Sequence, residues 1–164
     1  MKKIILLVIT SLLLVAFASS MTYEQQTIVP ELKTLLKNEP FKNVLSKIEV
    51  EYWGKTISVE ERGYFYFVEF LIRKATHFIG YGIIGVIFYT LYRKLQWRFA
   101  PLLAIATVFI IGCIDEFRQY YTPGRTAVFD DVLIDTAGAL LFVTITSCLL
   151  FLFGKYKGGR RTMR

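Results

Sequence analysis

Four apolar runs divide this chain: Ile4–Ala18, Ala75–Tyr92, Phe99–Ile114 and Val132–Phe153. A helix that crosses the hydrocarbon of a bilayer needs roughly 20 mostly apolar residues, with a range of about 17–25. The first and third runs are short alone, and polar or aromatic flanks complete them. A soluble domain of 164 residues does not carry four such runs. Lipid offers the backbone no hydrogen-bond partner, so each run is read as a helix whose N–H and C=O groups pair internally. The expected fold class is all-α membrane, with four transmembrane helices over about residues 4–20, 72–92, 99–116 and 132–153. They form one membrane domain over 1–164, with a structured extracytoplasmic loop over 21–70 between the first two helices.

Charge sets the expected orientation. The net charge is +7, which in a soluble protein would point to nucleic acid. Here the cations are segregated. Lys2 and Lys3 precede the first span, Arg93, Lys94 and Arg98 join the second to the third, and Lys155, Lys157, Arg160, Arg161 and Arg164 form the tail. None of these segments has an acidic residue; all 13 Asp and Glu lie within 19–74 and 115–135. The positive-inside rule counts Lys and Arg in short loops near the spans, giving an N-in, C-in topology and no nucleic-acid partner. Cys113 and Cys148 then lie towards opposite faces, beyond the roughly 7 Å between Cα atoms that a disulfide tolerates.

The first run has a second reading. Lys2-Lys3, an apolar stretch and Ala16-Phe17-Ala18 also fit a cleaved signal peptide. Retention as a span is the expectation, because four spans give the topology that the charges require.

In the loop, Pro30 and Pro40 read as first-turn helix residues. Phe41, Val44, Leu45 and Ile48 recur at helical spacing, predicting an amphipathic helix of about two turns. Residues 49–59 alternate on both sides of Gly54 and predict a small β-hairpin. The loop is read as a cap on the helices, with a partner-binding surface as the sharper alternative. Tyr64-Phe65-Tyr66-Phe67 reads as an interfacial aromatic belt.

The polar residues near the spans collect at one level. Glu69, Arg73, His77 and Tyr81 follow at i+4 spacing and share one face of the second helix. Asp115, Glu116 and Gln119 end the third helix, Pro123-Gly124-Arg125 turns the linker, and Asp131 and Asp135 open the fourth. Ionisable groups at membrane depth cost several kcal/mol, about 3 for Asp or Arg at a helix centre, and persist where they pair, line a wet cavity or serve function. Carboxylates brought together repel, so one takes up a proton or a cation sits between them. Arg125 offers a fork for carboxylate or phosphate, and His77 can transfer protons near neutral pH.

The candidate binding set is His77, Tyr81, Asp115, Glu116, Gln119, Arg125, Asp131 and Asp135; His77, Asp115 and Glu116 are the catalytic candidates. Plainer readings stand beside these. His77 and Tyr81 can form an interhelical hydrogen bond. Asp115 and Glu116 can be solvated at the interface or paired with Arg118 or Arg125. Asp131 and Asp135 can be helix N-terminal charges favoured by the dipole, a role that suits the deeper Asp135 least. The chain has no Gly-rich phosphate loop, metal-protease His pair, Gly-x-Ser-x-Gly or paired-cysteine motif. Its single His excludes a multi-His metal site. No cofactor is expected beyond a divalent cation that the carboxylates could hold.

In these residues the chain resembles the VanZ-like family of small bacterial membrane proteins. The matching pieces are Phe70 to Phe78 with Tyr81, Asp115-Glu116 with Gln119, Pro123-Gly124-Arg125, and Asp130-Asp131-Val132 followed by Asp135 and Gly138. Ser19-Ser20 and Tyr23-Glu24-Gln25-Gln26 also match, so the likeness runs over about residues 4–152 and favours an uncleaved first span. Asp135 stands where the family often has Asn, and Phe142 where a second Gly is common, which predicts looser packing of the fourth helix. The resemblance implies a multi-pass protein of the bacterial cell membrane and a link to glycopeptide-antibiotic response.

Three functional readings follow. The first is a non-enzymatic envelope protein whose outer polar pocket binds an envelope precursor, another membrane lipid or a lipoglycopeptide. The second is a membrane enzyme acting on a phosphate-bearing lipid, with His77 as acid or base. The third is a structural module whose polar residues only lock the helices.

Overall fold

A computed structural model describes residues 1–161, with side chains through residue 153. The tail cations Lys155, Lys157, Arg160, Arg161 and Arg164, used above for orientation, lie outside the residues whose side chains are described. The elements run α1 (Lys2–Ser20), α2 (Tyr23–Gln26), α3 (Val29–Leu35), α4 (Lys42–Leu45), β1 (Val50–Tyr52), β2 (Lys55–Ile57), α5 (Val59–Arg62), α6 (Tyr64–Lys94), α7 (Ala100–Tyr120) and α8 (Phe129–Arg161). Among the described residues, four helices are long and apolar enough to cross a bilayer: α1, α6, α7 and α8 through Phe153.

Helix α6 begins at Tyr64 rather than near residue 72, so the loop ends earlier than the composition suggested. The reason is length. Its 31 residues span about 46 Å at 1.5 Å per residue, well beyond a hydrocarbon core of about 30 Å. Hydropathy detects only the lipid-facing part; the helix continues through Glu69, Arg73 and Lys74 into the polar layer.

Two apolar clusters result. Within the bundle, Ile84 and Phe88 of α6, Ala104 and Val108 of α7, and Ala139 and Val143 of α8 pack together. Above it, Ile57, Val59, Tyr64, Phe67 and Phe70 join the hairpin and α5 to the start of α6.

The loop is partly as expected. Pro30 sits in the first turn of α3. The hairpin pairs Val50 with Ile57 and Tyr52 with Lys55, and Trp53 and Gly54 both turn with positive φ (53° and 65°), as a two-residue primed turn requires. The amphipathic helix from Phe41 to Ile48 is not formed. Only Lys42–Leu45 is helical, Phe41 is its left-handed N-cap, and Pro40 lies before it. Phe41 and Val44 remain 79% and 60% exposed, so the apolar spacing has no surface to pack on.

The most extensive helix contact is between α6 and α8. A Cβ on Gly138 would collide with the Phe78 carbonyl oxygen, and one on Gly85 would lie 3.0 Å from Ala139 Cβ. Small residues allow this approach, the usual means of intramembrane helix association. Phe142 does not loosen the interface. A Cβ on Gly82 would lie 2.9 Å from the Phe142 ring, which also meets Phe78 edge-on at 6.3 Å. The ring fills the space that glycine opens on the facing helix. Cys113 and Cys148 are both free.

Gly138→Ala is therefore expected to lower the thermal unfolding temperature of the detergent-purified protein, at an overpacking cost of about 1–3 kcal/mol or more. Gly80→Ala is the control, since a Cβ there meets nothing within 4 Å. Equal unfolding temperatures for the two variants would contradict this account of the interface.

Candidate functional site

The C-terminal end of α1, the first half of α6, the C-terminal end of α7 and the start of α8 meet at one end of the bundle. Short connections make α6, α7 and α8 antiparallel neighbours, α1 packs on α6 and α7, and four chain segments present their polar ends together. One carboxylate fastens the 23–28 segment of the loop there. Glu69, 2% exposed, accepts hydrogen bonds from Tyr23 Oη (3.1 Å), Thr27 Oγ1 (3.2 Å) and the Ile28 backbone N–H (3.2 Å). It also accepts from Arg73 Nε (3.1 Å) and Nη2 (2.8 Å), one helical turn on. The charge-assisted pair is thereby tied to a neutral donor set on the loop.

From Arg73 a chain of bonds crosses the site. Arg73 Nη1 and Arg125 Nη1 both donate to Gln26 Oε1. Arg125 Nη2 donates to Gln119 Oε1 at 2.5 Å. Gln119 Nε2 and Tyr81 Oη each donate to Asp115 Oδ2 at 2.9 Å. Arg125 thus meets amide oxygens; among the described residues no carboxylate oxygen comes within 4 Å of it. The alternative pairing of Asp115 or Glu116 with Arg118 or Arg125 does not form: Arg118 Nη2 turns to Ser20 Oγ at 2.6 Å, and Arg125 to the two amides. Burial, and next the neighbouring Arg73 guanidinium, lower the Arg125 pKa from its ordinary value. Guanidinium starts so high that it remains charged near neutral pH.

The other wall is built from α6 and α8. His77 Nδ1 pairs with Asp135 Oδ1 at 3.0 Å, and the His77 ring stacks on Tyr81. Lys74 Nζ donates to Asp131 Oδ1 (2.5 Å) and Tyr52 Oη (2.6 Å). Burial and then the charge of Asp131 raise the Tyr52 pKa, so its phenol stays protonated across the neutral range. Glu116 Oε2 accepts the Val128 backbone N–H at 2.7 Å, just before α8 begins. Asp130 Oδ2 accepts the Trp53 N–H at 2.8 Å, docking the hairpin turn on the start of α8. The remaining oxygens Asp115 Oδ1, Glu116 Oε1 and Asp135 Oδ2 are buried and meet no donor among the described residues.

Two openings flank this network. The first, about 460 Å³, lies under the loop, with Tyr52, Trp53 and Tyr66 among its walls. Its charged lining is Lys55, Arg62, Arg73, Lys74 and Arg125 against Glu69 and Asp131, and both carboxylates are paired with lining cations. The second, about 420 Å³, is a mostly aliphatic groove between α1 and α6. Among the described residues no group of three His, Cys, Asp or Glu is arranged to hold a metal ion.

Of the eight residues that the sequence pointed to, His77, Tyr81, Asp115, Gln119, Arg125 and Asp135 are linked by hydrogen bonds or ring stacking, while Asp131 pairs with Lys74 and Glu116 with the Val128 N–H. Sequence reasoning missed Tyr23, Gln26, Tyr52 and Lys74, and placed Glu69 and Arg73 on the right helix face without placing them in the site. The i+4 series marked that face. Nothing in the loop pattern marks the partners of Glu69, which are 41 to 46 residues away in the chain.

Glu69→Ala is expected to destabilise the folded protein by about 3–5 kcal/mol, because it leaves a partly buried guanidinium and a backbone N–H without their acceptor. Breaking the exposed Lys42–Glu39 pair by Glu39→Ala is expected to cost about 0–1 kcal/mol. Thermal unfolding in detergent separates the two; similar shifts would mean that Glu69 does not hold the loop.

Comparison with known proteins gives the family. The model of the VanZ/LLP1 family matches residues 4–152, which include α1 from Ile4 onward and every residue of the network. No curated protein and no solved structure matches the chain. With four bilayer-length helices and a match over nearly all of its length, the chain is a membrane protein of the VanZ/LLP1 family.

Proposed function

We propose that the loop-covered cleft binds an anionic component of the bacterial cell envelope, and that it faces away from the cytoplasm. The observation that carries this reading is the lining: of five cationic side chains, Arg73 and Lys74 pair with the two lining carboxylates, and Lys55, Arg62 and Arg125 are in no ion pair among the described residues. Arg125 supports it most, since its guanidinium is held by two neutral amides and keeps its full charge for a ligand. Phosphate and carboxylate are the groups that a guanidinium fork recognises. Aromatic walls suit an apolar or sugar-bearing portion beside the charge. The orientation rests on Lys2, Lys3, Arg93, Lys94 and Arg98, which occupy the end of the bundle opposite the cleft. A role in envelope or glycopeptide-antibiotic response, which the family resemblance implies, is consistent with such a ligand. A cleft of a few hundred Å³ suits a drug-sized group or a headgroup, and would take only part of a lipoglycopeptide.

The second reading, an enzyme acting on a phosphate-bearing lipid, is favoured by one feature. His77 lines both openings and is oriented by Asp135, the arrangement of an acid or base held in place by a carboxylate. The third reading, a purely structural lock, accounts for Glu69 and Arg73 but not for a cationic cleft.

Binding of lipid-linked cell-wall precursors, anionic phospholipids and lipoglycopeptides to protein in nanodiscs tests the proposal. Arg125→Gln is expected to weaken the anionic ligand about tenfold, the loss of one hydrogen bond to a charged group. Raised salt is expected to weaken it further. Equal binding of anionic and zwitterionic lipids, unchanged by Arg125→Gln, would contradict the reading. Under the enzymatic alternative, His77→Ala keeps binding but abolishes turnover of the bound lipid.

A further inference from the structure

The groove between α1 and α6 has features that helix packing alone does not require. Helix α1 is the least embedded of the four, with only Ile4 and Ser19 buried along its 19 residues. Leu7, Leu14 and Val15 line the groove from α1, and Ile83, Ile84 and Ile87 line it from α6. Leu7, Leu14 and Ile83 are 53%, 62% and 51% exposed, so the groove opens sideways. Gly80 lies in its wall, and a Cβ there meets nothing within 4 Å. Gly82, Gly85 and Gly138 differ, since each is pressed against a neighbouring helix. The space beside Gly80 is therefore not taken up by helix packing.

The groove adjoins the cationic cleft. His77, Gln119 and Arg125 line both, and Asp115 also lines the groove, so its aliphatic walls end at a polar wall that contains the Arg125 guanidinium. An apolar slot in the membrane layer beside a positive polar chamber is complementary to one kind of molecule. That molecule has a hydrocarbon chain and an anionic head.

We propose that the α1–α6 groove holds the hydrocarbon chain of a membrane lipid whose phosphate headgroup sits in the cleft beside Arg125, the lipid entering sideways between α1 and α6. This rests on the reading of the cleft as an anion site and adds the class of ligand and its route. The chain contributes apolar contact along Leu14, Ile83 and Ile87, while Arg125 and its neighbours fix the head. A groove of about 420 Å³ takes part of one chain and is too small for a packed helix of a partner protein.

The test uses the full-length protein in nanodiscs and two probes with one headgroup, oleoyl lysophosphatidate and its octanoyl analogue. The wild type is expected to prefer the oleoyl probe. Gly80→Leu, which fills the groove, is expected to reduce oleoyl binding about tenfold, the equivalent of about two methylenes removed from apolar contact. An oleoyl probe with a diazirine in its chain is expected to crosslink to α1 and α6 in the wild type and to lose those crosslinks in Gly80→Leu. Should Gly80→Leu fail to fold, Thr10→Phe obstructs the same groove from α1. An oleoyl preference unchanged in the folded variant, or crosslinks confined to α7 and α8, would overturn the groove proposal and leave the anion site standing. Loss of sensitivity to Arg125→Gln for both probes would instead remove the anion site, and the groove proposal with it.

Discussion

A bilayer interior gives the backbone nothing to bond with, and the rest of this molecule is arranged around that constraint. Four helices close their own hydrogen bonds and cross the apolar layer. Side-chain polarity then has to gather where the helices leave lipid. Antiparallel order brings the end of α1, the first half of α6, the end of α7 and the start of α8 to one level. The polar network at that end is a consequence of topology as much as of composition.

Close packing sets how near those ends come. Apolar side chains gain little by leaving lipid for one another, so α6 and α8 associate through fit. Gly82 receives the Phe142 ring, Gly85 meets Ala139, and Gly138 meets the Phe78 carbonyl. With the helices this close, His77 reaches Asp135 and Lys74 reaches Asp131. Glu69 then ties the loop to α6 by accepting from the 23–28 segment and from Arg73 together. The loop becomes the roof of the cleft, with Tyr52 and Trp53 of the hairpin above Lys74 and Asp130.

The sequence shows some of this plainly and conceals the rest for physical reasons. Apolar runs reveal spans because lipid imposes one length on them. The i+4 series from Glu69 to Tyr81 reveals a shared face because a helix has one period. Hairpin alternation around Gly54 is equally local. The partners of Glu69 depend instead on how a loop folds back over 41 to 46 residues, which no local period records. The same holds for Lys74, which stands one residue off the i+4 face and pairs 57 residues away. Phe41 and Val44 show the opposite failure, a helical period that finds no surface to bury against. Phe142 illustrates a third: its effect depends on Gly82 across the interface.

The proposed role depends on which side of the membrane the cleft faces, since an outward cleft meets envelope components and an inward one meets cytoplasmic solutes. Labelling intact cells with a membrane-impermeant thiol reagent measures this directly, in a background with Cys113 and Cys148 replaced by Ser. Thr126→Cys reports the cleft end and Leu95→Cys the opposite end, and both positions are exposed. Thr126→Cys is expected to label in intact cells, and Leu95→Cys only after permeabilisation. The reverse pattern would place the cleft in the cytoplasm and contradict the proposed envelope site.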